Sequence, residues 1–399
     1  MLSDSSALFF NSPTQRLALA RHRFFEDGEL PTGVVSNAVL DSWSRCRWRR
    51  LDPRDTPTFS LVTKSRAQLA VQRNHELIYA WQQELPELQR TLAGTTCSAI
   101  LTDPSGVLIA SSETRAGSEI ITPVAHRVGV DLSEDAAGTT APGLVVKTGK
   151  PAVVLGAEHY FESIRPMYCV AAPMHDASGR LAGVLDISHE GAPFNFGAVQ
   201  VLSLFAASIE NRLLMSQSNE ILVIRLQISP SLLDTSMEGL VGIDQQGTVA
   251  WTNGVAAQLL NIARTNALSE VLDVEAAFGV GLNSLLALPP EGAAALKVKA
   301  GLNLWMRAVP PISKRLSSGA RSISQAPTAS PPARAVSVPD SAVTPLPAPR
   351  REVQSLQEAD ADHILKTVRA LNGNIAKAAR QLKVSRGLIY RRLQKKSQN

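Results

Sequence analysis

The C-terminal end of the chain carries side chains suited to binding a polyanion. The segment "RGLIYRRLQKK" has apolar residues four positions apart, while Gly387, Arg391 and Lys395 project from the other side of a helix. Arginine can form bidentate hydrogen bonds to guanine in the DNA major groove, and a glycine near the start of such a helix lets the backbone approach the bases. This pattern predicts a helix that contacts DNA.

The chemistry of each side chain suggests its role in that helix. We expect Arg386 and Arg391 to make base or near-base contacts, with clearance from Gly387 and support from Tyr390. The cations expected to contact phosphates are Lys377, Arg392, Lys395 and Lys396.

Two further elements must position the basic helix. "DADHILKTVRAL" has helical spacing and ends near Gly373, and "NIAKAARQL" follows as a second helix with Asn374 as its cap and small residues on its inner face. Ser385 then caps the basic helix. The alternative, a solvated basic helix, requires neither the caps nor the small-residue face. The segment is therefore predicted to be an all-α helix-turn-helix.

This segment also resembles a known family. "GNIAKAARQLKVSRGLIYRRL" is similar to the Fis-type helix-turn-helix that ends many bacterial enhancer-binding regulators, through its Gly-Asn, Ala-Ala and Ser-Arg pairs and its Tyr-Arg-Arg-Leu. The resemblance implies DNA binding by residues 356–399. It departs from the family at Leu388, where a threonine is common, and a hydroxyl–phosphate contact is lost there.

Charge and composition separate this segment from the rest of the chain. The formal net charge is +5, but ten Lys or Arg and no Asp or Glu occur from His363 onward, which leaves about −5 for residues 1–362. Before it, "APTASPPARAVSVPDSAVTPLPAPRRE" has no helical or strand period, and its prolines remove backbone donors. Residues 311–355 are therefore predicted to be a disordered Pro/Ala/Ser linker.

The N-terminal half has the pattern of a sensor domain with strands and helices. "TCSAILTDPSGVLIASS" and "PMYCVAAPMHDASGRLAGVLDISHE" each predict two apolar strands joined by a tight turn, at Asp103–Gly106 and Asp176–Gly179. A short helix is expected between the two hairpins, and a long helix from Ala198 to about Leu226 after them. This order predicts an α/β sensor sheet.

This region resembles the GAF domain of the acetoin-catabolism-type regulators over roughly residues 35–215. The resemblance rests on "VLDSWSRCRWRRLDP" and on three further segments, Gly138–Gly143, Gly156–His159 and Cys169–Pro173. It implies a small-molecule effector. The residues it implies for the ligand are Thr139, Thr140, His159 and Cys169. Thr140 and Pro142 replace an Asn and an Ile of the family pattern, so the identity of the effector does not carry over.

Other chemistry at these residues is disfavoured. Glu158 and His159 would point to opposite faces of a strand, and no second histidine is placed to complete a metal site. Cys97 and Cys169 lie in apolar runs that raise a thiol pKa, which makes a GAF-based thiol reductase a minor alternative. We expect no catalytic residue, no metal and no cofactor, and therefore not an enzyme.

A third unit follows the sensor. "MEGLVGIDQQGTVAWTNGVAAQLL" predicts a strand, a turn at Gln245–Gly247, a second strand and an Asn-capped helix, and it resembles the opening of a PAS domain. The alternative is a helical connector with one hairpin. No heme or flavin ligand is evident in this unit.

Regulators of the resembled family usually carry an ATPase that remodels sigma-54 polymerase. The phosphate-loop pattern G-x-x-x-x-G-K-[ST] is absent here: the nearest string, "GLVVKTGKP", has one residue too many and places Pro151 where a hydroxyl is required. "GLVVKTGKP" is instead expected to be a turn before a strand. The sequence thus predicts regulation without sigma-54 remodelling.

The predicted organisation is an α+β multidomain chain. Its parts are an N-terminal helical segment (1–59), a GAF-like sensor (60–215), a PAS-like domain (216–310), the linker (311–355) and the helix-turn-helix (356–399). We expect a sequence-specific transcriptional regulator that responds to a small-molecule effector. The alternative is an accessory protein that modulates a full-length regulator and binds DNA weakly without sequence preference.

The expected partners are DNA, the effector, a second copy of the chain, and RNA polymerase or a related regulator. An apolar stripe on the long helix predicts a dimer contact, and its residues are Val201, Leu202, Phe205, Ile209, Leu213 and Leu214. Alternatively, this stripe packs on its own sheet. A second dimer contact is expected at Ile364, Leu365 and Val368.

Three sparse cysteines and no long apolar run predict a cytoplasmic protein without a membrane span.

Overall fold

The computed structural model of the chain describes residues 12–112, 119–218, 222–264 and 272–310. The predicted linker and helix-turn-helix, with every expected DNA-contacting residue and the second expected dimer contact, lie outside the described residues.

The described residues form the following helices and strands. The helices are α1 (Pro13–His22), α2 (Asn37–Trp48), α3 (Lys64–Arg73), α4 (His75–Thr91), α5 (Thr122–Ala125), α6 (Glu134–Ala137), α7 (Ala141–Thr148), α8 (Ala198–Ser216), α9 (Gly254–Leu260), α10 (Val274–Phe278) and α11 (Leu282–Leu286). The strands are β1 (Ser98–Thr102), β2 (Leu108–Ser111), β3 (Ala152–Leu155), β4 (Met167–His175), β5 (Leu181–Glu190), β6 (Leu222–Gln227), β7 (Gly239–Ile243), β8 (Val249–Thr252), β9 (Ala294–Lys297) and β10 (Asn303–Val309).

The first helices begin at sequence-encoded caps and pack against the first sheet. Ser12 and Gln15 form a capping box at the start of α1, and Ser36 caps α2 by accepting the amide of Val39. Phe24 and Trp43 then pack with tilted rings whose centroids are 5.2 Å apart, and both belong to the core that continues into the sheet. The N-terminal segment is therefore part of the first domain's core.

The first sheet is antiparallel throughout, with strand order β2-β1-β5-β4-β3. Successive residues of each strand alternate between two cores: Ile100 and Val184 face the core shared with α2 and α7, whereas Leu101 and Leu185 face the core shared with α4 and α8. Helices thus cover both faces of the sheet, and the prediction of a GAF-like α/β domain is confirmed.

The two predicted hairpin turns are confirmed. Asp103 Oδ1 accepts the amides of Ser105 and Val107, both at 2.9 Å, and Gly106 adopts a φ of 91°. Asp176 forms the same turn before β5, where Gly179 adopts a φ of 72°. The aspartate caps the turn and the glycine takes the left-handed conformation that other residues avoid.

The prediction of a helix from Ala198 to about Leu226 is wrong at its C-terminal end. Helix α8 ends at Ser216, and Leu222–Gln227 is strand β6. β6 contains the β-branched pair Val223 and Ile224 and forms ladders with β7 on one side and β10 on the other. These two ladders satisfy the backbone on both sides of the segment, so strand replaces helix there.

The apolar stripe of α8 packs inside its own chain, as the alternative interpretation expected. Leu202, Ile209 and Leu213 are buried in the core between α8 and the first sheet, and Leu214 is buried against the second sheet. Val201 and Phe205 are half-buried against the first core. A dimer contact through these side chains would require them to leave this core.

Helix α8 also bears on the expectation that the chain has no long apolar run. Among the described residues it is the one helix long and apolar enough to meet the length and composition criteria for a membrane span. Its buried positions include Glu210 and Asn211 beside the leucines, and it packs on α4 and β4. This is the burial of a core helix.

The third unit is a second five-stranded antiparallel sheet with order β8-β7-β6-β10-β9. The alternative of a helical connector with one hairpin is therefore wrong. The predicted turn is present, with Gly247 at a φ of 80°, and Asn253 caps α9 by accepting the amide of Ala256 at 2.9 Å. Helices α9 to α11 share one core with this sheet. Its central strand, β6, precedes the hairpin in the chain.

Candidate functional site

A small cavity lies between the first sheet and the helices α5 and α7. Its volume is about 30 Å³. It is lined by Phe59, Ile100, Ile121, Ala125, His126, Leu132, Thr140, Pro142, His159, Ile164, Met167, Cys169, Asp186 and Ser188. Three of the four residues implied by the family resemblance, Thr140, His159 and Cys169, are thus brought together. Thr139 is not among them, because it is buried against α2 with its Oγ1 2.8 Å from Ser42 Oγ.

Thr140 is positioned as the cap of α7. Its Oγ1 accepts the amide of Gly143 at 3.1 Å and donates to the carbonyl of Leu132 at 3.1 Å. The segment "GLVVKTGKP", expected to be a turn before β3, therefore contains most of helix α7. Gly149 ends this helix in the left-handed conformation. The expectation of a turn holds only for the residues after Thr148.

His159 does not lie on a strand. Gly156–Glu158 form a 3₁₀ turn, and the Nδ1–H of His159 donates to the Gly156 carbonyl at 3.0 Å, since a carbonyl only accepts. Its Nε2 lies 3.5 Å from Cys169 Sγ. Burial lowers the pKa of His159 to about 4 and raises the pKa of the Cys169 thiol, so both groups are neutral near pH 7. Glu158 points elsewhere and accepts the amide of Leu155 at 2.8 Å.

The cysteines are placed unfavourably for thiol chemistry. Cys169 packs in the core on one face of the sheet, whereas Cys97 packs against the core on the other. Burial raises the pKa of both thiols. Neither reactivity nor a shared disulfide is therefore favoured.

Sequence reasoning missed three polar residues of the cavity, Asp186, Ser188 and His126. His126 Nδ1 lies 2.8 Å from Ser98 Oγ and its Nε2 lies 3.2 Å from Ser188 Oγ, and burial lowers its pKa to about 4. Burial raises the pKa of Asp186 to about 7, and its Oδ1 has no hydrogen-bond partner among the described residues. The available signal was "VLDIS", in which a carboxyl and a hydroxyl share one face of an apolar strand.

One wall of the cavity is held from outside by the N-terminal helices. Arg21 Nη1 donates to the carbonyl of His159 at 2.6 Å, and Trp43 Nε1 donates to the carbonyl of Glu158 at 2.7 Å. The hydroxyl of Tyr160 donates to the Leu51 carbonyl at 2.7 Å. The segment that carries His159 is thus fixed by side chains of α1 and α2.

A second polar cluster joins the two sheets at the far end of β4. Glu210 of α8 accepts the amide of His175 at 2.8 Å, and Arg264 donates to Glu210 Oε1 and to His175 Nδ1, the latter at 2.8 Å. Beside it, Asn253 Nδ2 donates to Asn211 Oδ1 at 2.8 Å. We call these five residues the junction cluster. Strand β4 therefore has the cavity at its start, through Cys169, and the junction cluster at its end.

Comparisons with known proteins place both ends of the chain. Residues 12–206 match the family described as MimR, N-terminal domain, and residues 355–395 match the family described as bacterial regulatory protein, Fis family. The second match covers the predicted helix-turn-helix.

Among curated relatives, the acetoin catabolism regulatory protein of Cupriavidus necator is 27% identical over 233 residues, which are 57% of this chain and 35% of that protein. The glycerol metabolism operon regulatory protein of Citrobacter freundii is 25% identical over 287 residues, 67% of this chain and 40% of that protein. The chain thus spans well under half the length of these relatives. The Escherichia coli DhaR(N)-DhaL complex shows 15% identity and a TM-score of 0.42, over 69% of this chain and all of that one. The chain is thus similar at both ends to bacterial transcriptional regulators of the acetoin-catabolism type, through its MimR N-terminal match and its Fis-family match.

Proposed function

We propose that the chain is a sequence-specific DNA-binding regulator that binds a small, uncharged molecule with hydroxyl or carbonyl groups in the cavity of its first domain. One observation carries the sensing part: the buried carboxyl of Asp186, with Oδ1 unpaired among the described residues, faces a cavity that Thr140 and Ser188 also line. A carboxyl with a pKa of about 7 can donate or accept a hydrogen bond near neutral pH. The cavity is thus suited to a ligand hydroxyl.

The charge state of the walls argues against an anionic effector. Among the described residues no Lys or Arg lines the cavity, and its two histidines are neutral because burial lowers their pKa to about 4. An anion would enter the cavity without a compensating positive charge and would repel ionised Asp186.

The two relatives named above are regulators of acetoin and glycerol metabolism, and both compounds are small and hydroxylated. Since the cavity holds little more than a water molecule, such a ligand must displace a flexible wall residue such as Met167.

Calorimetric titration tests the effector class. We expect acetoin or glycerol to bind and acetate to bind at least tenfold more weakly. Asp186→Val should weaken binding of the neutral ligand about tenfold, the effect of one lost buried hydrogen bond. Glu87→Gln, at an exposed position of α4, is the control and should bind as wild type. Tighter binding of acetate, or equal affinity of the neutral ligand for wild type and for Asp186→Val, would contradict the proposal.

The DNA-binding part rests on the Fis-family match, with Arg386, Gly387 and Arg391 as proposed base-proximal residues. Genomic fragments captured by the purified full chain at near-physiological salt should give discrete peaks with an inverted repeat. Arg391→Ala should abolish these peaks, because one lost bidentate contact reduces discrimination by about 1–3 kcal/mol. Arg73→Ala, an exposed arginine in the last turn of α3, is the matched control. Featureless capture by the wild type would instead support the accessory-protein alternative.

We further propose that regulation uses direct recruitment of polymerase or occlusion of a promoter, since no phosphate loop occurs in the sequence. We propose a cytoplasmic homodimer without enzymatic activity, in which two recognition helices bind half-sites about one DNA turn apart. Because the α8 stripe is buried, Ile364, Leu365 and Val368 are the preferred dimer contact. Residues 311–355 would link the sensor domain to the helix-turn-helix flexibly, so effector control would act through dimerisation or through protein contacts.

A further inference from the structure

A second, larger concavity lies on the outer side of the segment that walls the effector cavity. This cleft runs between α1, the end of α2 and residues 157–165, and its volume is about 620 Å³. Five arginines line it: Arg21, Arg47, Arg50, Arg54 and Arg165. We call it the arginine cleft. Its size lies in the range of small-molecule sites in proteins.

The arginine cleft has more positive than negative charge. Asp52 pairs with Arg54 at 3.0 Å, and Glu162 pairs with Arg165 at 2.5 Å. Within the described residues, the guanidinium of Arg47 donates to one acceptor, the backbone carbonyl of Phe24, at 2.9 Å. The side chain of Arg50 makes no hydrogen bond or ion pair with the part of the chain that the structure describes, and its backbone holds the unusual φ of 61°. Among the described residues, three lining cations have no ion-pair partner, Arg21, Arg47 and Arg50, and one lining carboxylate, Glu26, is likewise unpaired.

Arg21 gives this charge a buried component. Its side chain is almost inaccessible, at 4% exposure, and its guanidinium donates to the carbonyls of Ala157, His159 and Tyr160. Burial, with the nearby charge of Arg165, lowers the pKa of Arg21 to about 10. The Nε of Arg165 is itself buried without a hydrogen-bond partner among the described residues. Since buried charges are normally paired, this region favours an added anion.

We propose that the arginine cleft binds a small soluble molecule bearing a phosphate or diphosphate group. Several guanidinium groups around one concavity suit a tetrahedral anion with two or more charges, because each offers a planar fork of donors. A single carboxylate would satisfy fewer of them. Phe25, Leu51, Pro53 and Tyr160 supply apolar wall for the organic part of the molecule.

The cleft shares structure with the effector cavity. The His159 carbonyl accepts from Arg21 on the cleft side, while the His159 ring lines the cavity on the other. The two sites are therefore separated by this one segment. The proposal for the cleft does not depend on the identity or the existence of the effector.

The experiment is hydrogen–deuterium exchange of the full chain with inorganic pyrophosphate, orthophosphate and glycerol 3-phosphate. A local readout is needed because the basic residues after His363 also attract anions. Wild type should show at least threefold slower exchange in peptides covering 47–54 and 156–165. The double variant Arg47→Gln Arg50→Gln, at two exposed positions, should lose this protection and need at least tenfold more ligand. The control Arg73→Gln Arg90→Gln removes the same charge from exposed positions elsewhere and should behave as wild type.

The outcomes separate the possible ligands. Stronger protection by glycerol 3-phosphate than by orthophosphate supports a phosphate ester, and stronger protection by pyrophosphate supports a diphosphate. Any one of three results would overturn the proposal. They are protection confined to residues 355–395, equal protection in both double variants, and protection of 156–165 by poly-glutamate but by none of the phosphates. If the wild type is protected by a phosphate but binds neither acetoin nor glycerol, only the proposed effector is rejected.

Discussion

At the scale of single residues, burial determines the charge inside the effector cavity. The same physical cause acts with opposite sign on acids and bases: it raises the pKa of Asp186 to about 7 and lowers that of His126 and His159 to about 4. Around pH 7 the two histidines are therefore neutral and Asp186 is about half ionised. The lack of positive charge on these three groups is the basis of the proposed preference for uncharged polar molecules.

The raised pKa of Asp186 predicts a pH dependence of stability. Between the unfolded value of about 3.9 and about 7, the folded protein binds more protons at this group than the unfolded chain does. The contribution of Asp186 is thus fully present below about pH 4 and is lost as pH rises through about 7. We expect the free energy of unfolding of wild type relative to Asp186→Asn to fall across this window by a few kcal/mol, because each tenfold change in proton affinity is worth about 1.4 kcal/mol.

Urea unfolding at several pH values between 4 and 8 measures this difference. His126 and His159 shift in the other direction but are present in both proteins, so their effect cancels in the comparison. Asp135→Asn, at an exposed carboxylate of α6, is the control for the same change of side chain. A flat difference between wild type and Asp186→Asn would show that the pKa of Asp186 is not raised.

The residues of the cavity were only partly predictable from the sequence. Thr140, His159 and Cys169 lie in segments that resemble a family pattern, and the structure brings these three together. Asp186 and His126 are 60 residues apart in sequence and meet only when β5 packs beside α5. No local pattern encodes such a meeting, although a carboxyl within an apolar strand is unusual enough to indicate a special environment.

At the scale of elements, the hairpin β7–β8 depends on one glycine. Gly242 lies opposite Trp251 in the ladder, and a Cβ at Gly242 would fall 2.2 Å from Trp251 Nε1. The indole covers the strand backbone at this position. The lack of a side chain at Gly242 is therefore a packing requirement of the second sheet.

Gly242→Ala should destabilise the second sheet by about 1–3 kcal/mol, because the buried indole of Trp251 must move. Gly281→Ala is the control, since no atom lies within 4 Å of its added Cβ and its φ of −73° suits alanine. The midpoint of urea unfolding, followed by tryptophan fluorescence, compares the two variants. Equal midpoints would mean that Trp251 does not occupy this position.

Elements with local causes were predicted, and elements with distant partners were not. The turns at Gly106 and Gly179 follow from an aspartate and a glycine within four residues. The end of α8 does not follow from local residues, because Leu222–Gln227 is apolar enough for either a helix or a strand. Its pairing with β10, about eighty residues later, decides between them.

At the scale of the whole molecule, the junction cluster ties the second sheet to the first domain. Arg264 compensates the charge of Glu210, whose side chain is 9% exposed. Arg264→Ala should leave this carboxylate without its cation and cost about 2 kcal/mol. We expect faster hydrogen exchange in α9 and β7 while the first sheet is unchanged. Arg212→Ala, which removes a contact with Glu84 inside the first domain, should not produce this pattern. Unchanged hydrogen exchange in α9 of the Arg264→Ala variant would show that the junction cluster does not stabilise the second sheet.

The position of β6 has a mechanical consequence. Only residues 217–221 separate α8 from this strand, and β6 forms five residue pairs with β7 on one side and five with β10 on the other. A force that reaches β6 is therefore resisted by two ladders in the middle of the sheet, and not by one ladder at an edge. A fragment that begins at the β7–β8 hairpin would lose the strand that joins the sheet's two halves.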